Sequence, residues 1–281
     1  MTDTGSDHSL PEVPPGTDFK LVVADMDGTL LDDAGRVPAG FWPLLELMRE
    51  RGIAFAPASG RQSATLARLF ERDLGGMALI AENGSYVVRD GVEVSSSTID
   101  REVVVGVVEA VRAAVRDGYD LGVVVCGKKS AYIERTDGAF RAECDKYYVA
   151  LREVSDVLEP DDQVLKVAIY DFGSAIESVS LFERFKVGHQ VVVSGEHWID
   201  VMSEGVNKGA ALRALQAEMG IGREQTVVFG DYFNDAEMLD EADWSFAMAN
   251  AHPDIRRRAT YAAPSSSEAG VVTVLTHILA S

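Results

Sequence analysis

The sequence predicts an α/β fold, a Rossmann-like doubly wound parallel sheet that carries an inserted α+β cap domain. Short apolar strands alternate with amphipathic helices near both ends of the chain, a pattern typical of parallel sheets with crossover helices. Polar residues follow directly after several of these strands. The middle of the chain instead shows short strands around turn residues, which favours antiparallel pairing.

Length and charge limit the possible folds and partners. The 281 residues are enough for roughly two domains, each with its own core. The net charge of -19 makes nucleic acid and anionic membranes unfavourable partners, because both attract basic surfaces. A small anionic substrate is compatible with this charge, since nearby groups outweigh the net charge at close range.

The ends of the chain and its cysteines predict a cytoplasmic protein. Residues 1–18 are rich in proline and acidic residues and lack the apolar segment of a secretory signal, so we expect a flexible tail. Cys126 and Cys144 lack the spacing of a zinc site, which favours reduced thiols. No stretch of the sequence approaches the ~20 apolar residues of a membrane helix.

The first predicted element is a strand over residues 21–24, whose continuous apolar run indicates a position inside a parallel sheet. Asp25 and Asp27 follow at the end where open α/β sheets bind ligands. Because close carboxylates repel each other, we expect a cation or a shared proton beside them. Gly28 permits a sharp turn, and Thr29 offers a hydroxyl group. An Asp-Gly turn that only ends a strand is the alternative that this stretch leaves open.

The next elements repeat the alternation of strand and helix. Ser59, Gly60 and Arg61 follow the second strand, and the strong turn signal of residues 82–84 follows the third. The predicted order is helix 41–48, strand 53–58, helix 62–70 and strand 77–81.

From residue 86 the pattern changes to an α+β module. A hairpin over 86–94 is expected first, followed by a helix with valines at helical spacing over 104–115. Further strands are predicted at 121–125, 131–134, 164–169 and 190–193, with a helix at 175–185. We therefore expect a cap domain over 86–194 and a core formed by 19–85 and 195–281, with residues 198–202 leading back to the core.

The last third of the chain returns to the first pattern. Lys208 begins a helix, and Asp231, Asn234 and Asp235 follow an apolar strand. The predicted elements are a helix from 208, strands at 226–229 and 244–249, and a terminal helix.

Acidic residues from both ends of the chain are predicted to meet at one edge of the sheet. Carboxylate oxygens without histidine or cysteine partners favour a hard cation, above all Mg²⁺. A metal, a lysine and hydroxyl or backbone donors around an aspartate form a cradle for a phosphoryl group. The residues concerned are Asp25, Asp27, Asp231 and Asp235, with Ser59 and Lys208 beside them.

In this order the motifs resemble those of the haloacid dehalogenase-like hydrolases. The matching residues are 25–30, 59–61, Lys208, and 230–231 with 234–235. The turn at 82–84, the mid-chain insert and the loops at 206–209 and 249–251 resemble the Cof-type subgroup, which carries a large α/β cap. The resemblance covers essentially the whole chain after the tail. Ser59 stands where the subgroup more often has Thr, and keeps the hydroxyl group.

The resemblance implies a role for each matched residue. Asp25 corresponds to a nucleophile that accepts the phosphoryl group, and Asp27 to the general acid and base. The implied Mg²⁺ ligands are Asp25, the backbone carbonyl of Asp27, and Asp231. Arg61 is expected to pair with a nearby carboxylate. The implied substrate-binding residues are Ser59, Gly60, Lys208 and Asn234, with Asp235 supporting Lys208 or a metal-bound water.

We therefore expect a Mg²⁺-dependent phosphatase that hydrolyses a small phosphomonoester through an aspartyl-phosphate. The resemblance implies a sugar phosphate as substrate, followed by flavin mononucleotide or pyridoxal phosphate. A phosphotransferase or phosphomutase with the same nucleophile is one alternative. A non-enzymatic phospho-aspartate switch is another, but Asp27 argues against it because an acid–base residue promotes turnover.

Polar residues of the cap are candidates for the substrate pocket. A solvated cap surface explains each of them equally well, so the sequence leaves both interpretations open. These residues are Cys126, Lys128, Lys129, Tyr132, Arg141 and Lys146.

Overall fold

Two β-sheets organise the chain. The structure is a computed structural model, and it describes residues 10–72 and 74–280. The strands are β1 Leu21–Asp25, β2 Ala54–Ala58, β3 Ala78–Ala81, β4 Tyr86–Arg89, β5 Val92–Ser96, β6 Leu121–Gly127, β7 Ala131–Ile133, β8 Leu151–Glu153, β9 Val164–Asp171, β10 His189–Val193, β11 Trp198–Ser203, β12 Thr226–Gly230, β13 Trp244–Met248 and β14 Tyr261–Ala263.

Helices connect these strands. The α-helices are α1 Phe41–Glu50, α2 Ser63–Leu69, α3 Arg101–Arg116, α4 Gly138–Cys144, α5 Ala175–Ser178, α6 Lys208–Met219, α7 Ala236–Leu239, α8 Pro253–Arg258 and α9 Gly270–Ala280. Shorter or irregular helical segments are Met26–Leu30, Glu82–Gly84, Val179–Lys186, Arg223–Gln225, Phe233–Asp235 and Ser266–Glu268. Within the described ranges, no helix is both long and apolar enough to cross a bilayer.

The core sheet has the strand order β14-β13-β12-β1-β2-β3-β4-β5. Its strands from β14 to β3 are parallel, whereas β4 and β5 are antiparallel. The chain moves outward in one direction from β1 and in the other from β12, so the order reverses between these two paired strands. Ligands of doubly wound sheets bind at such a switch point. The predicted α/β fold class is confirmed.

The strands at the switch point are buried along their whole length. All five residues of β1 and of β12 are buried, as their apolar sequences predict. Phe229 on β12 stacks against Phe246 on β13, with ring centroids 5.1 Å apart. This packing holds the carboxyl ends of the central strands in place and leaves their following loops to form a site.

The cap contains the second sheet, with the order β10-β11-β9-β6-β7-β8. One face packs against α3, of whose predicted valine stripe Val104, Val107, Val108 and Val111 are buried, whereas Val115 is exposed. The other face carries Ala168 and Tyr170 of β9 and packs against Phe140 of α4. Helix α4, strand β8 and the core strand β14 are short elements that the sequence pattern did not predict.

The chain passes from the core sheet to the cap sheet and back at other residues than the predicted domain boundaries, 86 and 194. The β4–β5 hairpin joins the core sheet, because β4 pairs with β3 from Ala78↔Arg89 to Ala81↔Tyr86. Strand β11, predicted to lead back to the core, pairs with β9 and β10 in the cap sheet. We therefore infer that the cap spans about residues 97–203. Local sequence signals a hairpin but does not specify which sheet edge the hairpin joins.

The predicted flexible tail is described from residue 10 onward, and residues 1–9 lie outside the described residues. Leu10 and Val13 pack against the core. The backbone carbonyl of Pro11 lies 2.9 Å from Nε2 of His277 on α9. This part of the predicted tail is therefore attached to the core.

Candidate active site

A buried lysine joins two aspartates at the switch point between β1 and β12. Lys208, at the start of α6, donates a 2.7 Å hydrogen bond to Oδ1 of Asp235. Its Nζ also pairs with Oδ1 of Asp25, the last residue of β1. The Lys208 side chain is 0% exposed. Burial of an ammonium group requires charged partners, and these two carboxylates supply them.

Close packing around α6 determines where Lys208 lies. Asn207 caps the helix, because its side-chain Oδ1 accepts a 2.7 Å hydrogen bond from the N–H of Ala210. A Cβ atom on Gly209 would lie 2.6 Å from the backbone of Glu237, so only glycine permits this approach of α6 to α7. The cap and the close contact together hold the first residue of α6 beside Asp25.

The loop after β12 folds around Asp235. Oδ2 of Asp235 accepts hydrogen bonds from the N–H groups of Asp231 and Tyr232, at 2.9 and 3.1 Å. Oδ1 is bonded to Lys208, so both oxygens of Asp235 have partners within the site. Asp235 therefore joins the loop after β12 to Lys208.

Asp231 lies against the turn that follows β1. The hydroxyl of Thr29 donates a 3.1 Å hydrogen bond to Oδ1 of Asp231. Gly28 has a φ of +84°, and a Cβ atom on it would lie 2.4 Å from Oδ2 of Asp231. Oxygen atoms of Asp25, Asp231 and Asp235 lie within 4.8 Å of one another. Three carboxylates this close together, with Gly28 leaving room for the carboxylate of Asp231, fit a hard divalent cation.

The crowded carboxylates have shifted pKa values. Burial and the neighbouring charge of Asp235 raise the pKa of Asp25 to about 8, although Lys208 opposes the shift. Burial and Asp235 also raise the pKa of Asp231 to about 6. Burial disfavours the charge of Lys208, but the attraction of Asp235 and Asp25 outweighs it and raises the pKa of the lysine. The site therefore holds an excess of negative charge that a cation would neutralise.

Ser59 and Gly60 lie at the carboxyl end of the neighbouring strand β2. Ser59 is buried, its N–H donates to the carbonyl of Ile80 at 2.9 Å, and its hydroxyl accepts from the N–H of Arg61 at 3.2 Å. A Cβ atom on Gly60 would lie 3.0 Å from the side chain of Asn83. Asp25 and Ala58 are register neighbours, so this loop adjoins the carboxylate cluster.

Asp27 occupies a more exposed position beside the cluster. Its carboxylate accepts hydrogen bonds from Nε of Arg61 at 3.0 Å and from Nη2 at 2.5 Å. The predicted pairing of Arg61 with a nearby carboxylate is confirmed. Asp27 therefore stands apart from Asp25 and Asp231, held by a guanidinium group from the adjacent strand end.

Asn234 and two asparagines absent from the predicted site organise its rim. Asn234 donates a 3.3 Å hydrogen bond to Oδ1 of Asn83. Asn250 donates to the carbonyl of Gly28 at 2.8 Å and accepts from the N–H of Ser266 at 3.0 Å. The turn at 82–84 and the loop at 249–251 enter the sequence analysis through the resemblance to the Cof-type subgroup, but only the structure shows their contacts.

The polar cap residues proposed for the pocket have structural partners. The Cys126 side chain is buried, and the hydroxyl of Tyr132 donates to Asp162. The charged members form ion pairs or hydrogen bonds: Lys128 with Glu93, Lys129 with the carbonyl of Asp161, Arg141 with Asp145 and Glu153, and Lys146 with Glu143. These contacts support the interpretation as ordinary cap structure.

Comparison with known proteins identifies the family. A family model for the haloacid dehalogenase-like hydrolases matches residues 22–275. The chain belongs to this family. The predicted resemblance is confirmed, and so is the predicted enzyme class, a phosphoric monoester hydrolase of this superfamily.

Individual relatives agree with this assignment. The chain is 33% identical over 265 residues to the Escherichia coli 5-amino-6-(5-phospho-D-ribitylamino)uracil phosphatase YbjI, covering 93% of this chain and 96% of that protein. The structure of TM0651 from Thermotoga maritima matches with a TM-score of 0.81 and 25% identity, over 92% of this chain and 97% of that one. The sugar phosphatase BT4131, of subclass IIB, has the same fold, with a TM-score of 0.73, 22% identity, and coverage of 92% and 98%.

Proposed function

We propose that this chain is a Mg²⁺-dependent phosphatase that hydrolyses a small phosphomonoester through an aspartyl-phosphate on Asp25. The observation that carries the proposal is the contact of Lys208 with both Asp25 and Asp235, beside Asp231. This arrangement supports a nucleophilic carboxylate whose charge is balanced while it approaches an anionic substrate.

The donor set of the cluster suits Mg²⁺, which takes carboxylate, carbonyl and water oxygens. Asp25, Asp231 and the backbone carbonyl of Asp27 would hold the ion. Asp235 is assigned a supporting role, since its two oxygens already bind Lys208 and two backbone N–H groups. When bound, the ion supplies positive charge to the carboxylates and to the oxygens of the transferring phosphoryl group.

In the first proposed step an oxygen of Asp25 attacks phosphorus, and the bond from phosphorus to the alcohol oxygen breaks. Lys208 offsets the negative charges that meet there. The hydroxyl of Ser59 and the N–H of Gly60 donate hydrogen bonds to the phosphoryl oxygens. Asp27 in its acid form gives its proton to the leaving alcohol.

In the second step Asp27, now a carboxylate, takes a proton from water. The water oxygen attacks phosphorus, the bond to Asp25 breaks, and inorganic phosphate leaves with Asp25 restored. Arg61 would hold Asp27 between the two proton transfers, as its two hydrogen bonds to that carboxylate suggest. A fixed carboxylate at this position favours turnover and distinguishes the enzyme from a long-lived phospho-aspartate switch.

For the substrate we propose a sugar phosphate or the phosphate of a sugar alcohol. The Escherichia coli relative is named for a phosphoribityl compound, and the subclass IIB structure is that of a sugar phosphatase. We also place the enzyme in the cytoplasm, because Cys126 and Cys144 are free and buried, as is usual in a reducing compartment.

A phosphate-release screen tests the proposal. Sugar phosphates, sugar-alcohol phosphates, flavin mononucleotide and pyridoxal phosphate are each offered with Mg²⁺ and after exhaustive chelation. We expect release only with metal, with the sugar-type esters preferred, and none from the Asp25→Asn protein. Release from no ester would overturn the phosphatase proposal, and release that survives chelation would overturn the metal assignment.

A further inference from the structure

A second buried charge cluster connects the core to the cap. Nζ of Lys166 lies 2.9 Å from Oε2 of Glu82 and 3.6 Å from Oδ2 of Asp200. All three side chains are at least nine-tenths buried. Glu82 follows core strand β3, whereas Lys166 and Asp200 lie on cap strands β9 and β11. The Glu82–Lys166 pair therefore crosses the boundary between the two sheets.

The backbone of the turn at 82–84 is hydrogen-bonded to the loop of residues 59–61, which carries the proposed phosphoryl donors. Its N–H donates to the carbonyl of Arg61 at 3.0 Å, and the N–H of Asn83 donates to the carbonyl of Ser59 at 2.9 Å. Glu82 and Asn83 have φ values of +50° and +55°, in the left-handed region. Non-glycine residues adopt this region at an energetic cost and keep it where the surrounding contacts require it.

The same turn contacts two further segments of the site. A Cβ atom on Gly84 would lie 2.4 Å from the carbonyl oxygen of Asn207, the residue before Lys208. The side chain of Asn83 accepts a hydrogen bond from Asn234. A displacement of this turn would therefore disturb the segments that carry Ser59, Lys208 and Asn234.

A buried ion pair adds little to the stability of a fold, but it fixes the relative position of the two segments that carry it. Its desolvation cost offsets most of the attraction, and an apolar pair of similar size often stabilises a protein as well. Removing one partner is costly, because it leaves the other charge buried and unpaired. Within the described residues, the carboxylate oxygens of Glu82 have no polar partner besides Lys166. Lys166 is thus the contact that determines where this carboxylate lies.

We propose that Glu82 and Lys166 are positioning residues, whose buried ion pair locks the cap onto the Ser59–Arg61 loop and so holds the phosphoryl donors in place. Neither residue touches the reacting atoms. The inference rests on the proposed function in one respect, namely that this loop binds the phosphoryl group. It adds that the turn at 82–84 transmits the position of the cap to the loop, beside the hydrogen bonds that Gln62 and Thr65 form with the cap backbone.

The test compares Lys166→Met, Glu82→Gln and the double variant in the full chain with Mg²⁺. Hydrogen exchange is measured on peptides covering residues 59–66, since the amides of Ser59 and Arg61 are hydrogen-bonded. We expect Lys166→Met to speed exchange of these amides about tenfold. KM for p-nitrophenyl phosphate should rise about tenfold, while kcat changes less than about threefold.

The double variant shows whether Glu82 and Lys166 act on the loop through one shared contact or independently of each other. If both residues act through one contact, the double variant should show no larger change than Lys166→Met alone. Glu82→Gln keeps the size of the side chain and the pairing of Lys166 with Asp200, so it carries the test if Lys166→Met does not fold. We expect it to change exchange and KM in the same direction.

A matched control is the pair Lys128–Glu93. It also joins cap to core, at 2.8 Å, but Glu93 is 40% exposed and lies on the outer strand β5. Lys128→Met should leave loop exchange and KM unchanged. The proposal is overturned if Lys166→Met lowers only the melting temperature, or if the control has the same effect. If the wild type cleaves neither p-nitrophenyl phosphate nor any ester of the screen, the phosphatase proposal fails, while loop exchange still decides the linkage.

Discussion

Lys208 and Asp25 form a buried ion pair although 183 residues and the whole cap separate them in the sequence. The pairing of β1 with β12 brings the two ends of the core together. Asp235 completes the contact from the loop after β12. The charge balance of the site therefore depends on the pairing of β1 with β12 in the core sheet.

Replacing Lys208 should affect both activity and stability. Lys208→Met keeps a long, unbranched side chain but leaves Asp25 and Asp235 buried without a cation. We expect kcat/KM to fall by about 10²–10³-fold, because a preorganised charge near the phosphoryl group is lost. Unfolding of the metal-free protein should become easier by about 3 kcal/mol. Denaturant melts and steady-state kinetics measure these effects, and unchanged kinetics would exclude the assigned role.

The metal-free protein should lose stability as the pH rises. The folded state holds the Asp25 proton with a pKa of about 8, against an ordinary value of 3.8 in the unfolded chain. Between these values the folded state binds more protons, so the free energy of unfolding decreases with rising pH. Mg²⁺ replaces the proton, so its stabilising effect should be larger at about pH 8 than at about pH 5.5.

Melting temperatures with Mg²⁺ and with a chelator, at both pH values, test this expectation. The Asp25→Asn variant is the control, because an amide does not titrate and should remove most of the pH dependence. A metal effect that is equal at both pH values would show that Asp25 does not exchange its proton for the ion.

A methyl group at Gly28 should weaken metal binding. In Gly28→Ala the new Cβ would lie 2.4 Å from Oδ2 of Asp231, so the carboxylate must move. The Mg²⁺ concentration for half-maximal activity should rise at least about tenfold. Gly35→Ala is a matched control, since Gly35 also has a positive φ, +70°, but has open space around its Cβ position. An equal change in both variants would indicate backbone strain alone.

Asp27→Asn should separate the two half-reactions. An alkyl phosphate has a poor leaving group, so its cleavage should slow by about 10²–10⁴-fold without the general acid. An activated aryl phosphate should still transfer its phosphoryl group to Asp25. The phosphoenzyme then accumulates, and acid quench should show a burst of about one product per site. Unchanged rates for both esters without a burst would mean that Asp27 is only a turn residue.

The sequence by itself determined the core of the fold and the acids of the site. Strand β1 is recognisable because residues 21–24 form a continuous apolar run, as expected of a strand that is covered on both faces. Asp25 and Asp231 follow buried strands, and parallel strands bring their carboxyl ends to one edge of the sheet. Local pattern and general topology were therefore sufficient to place these two acids near each other.

Only the tertiary structure decided the contacts that join distant segments. The β4–β5 hairpin joins the core sheet through β3, and a hairpin signal alone does not say which edge it will extend. In the sequence Glu82 belongs to a predicted turn and Lys166 is a polar residue in an apolar strand. In the structure they form one buried ion pair. Such pairs depend on how two domains dock, and docking depends on packing across the whole interface. The spacing of residues within a short stretch of sequence does not specify how two domains dock.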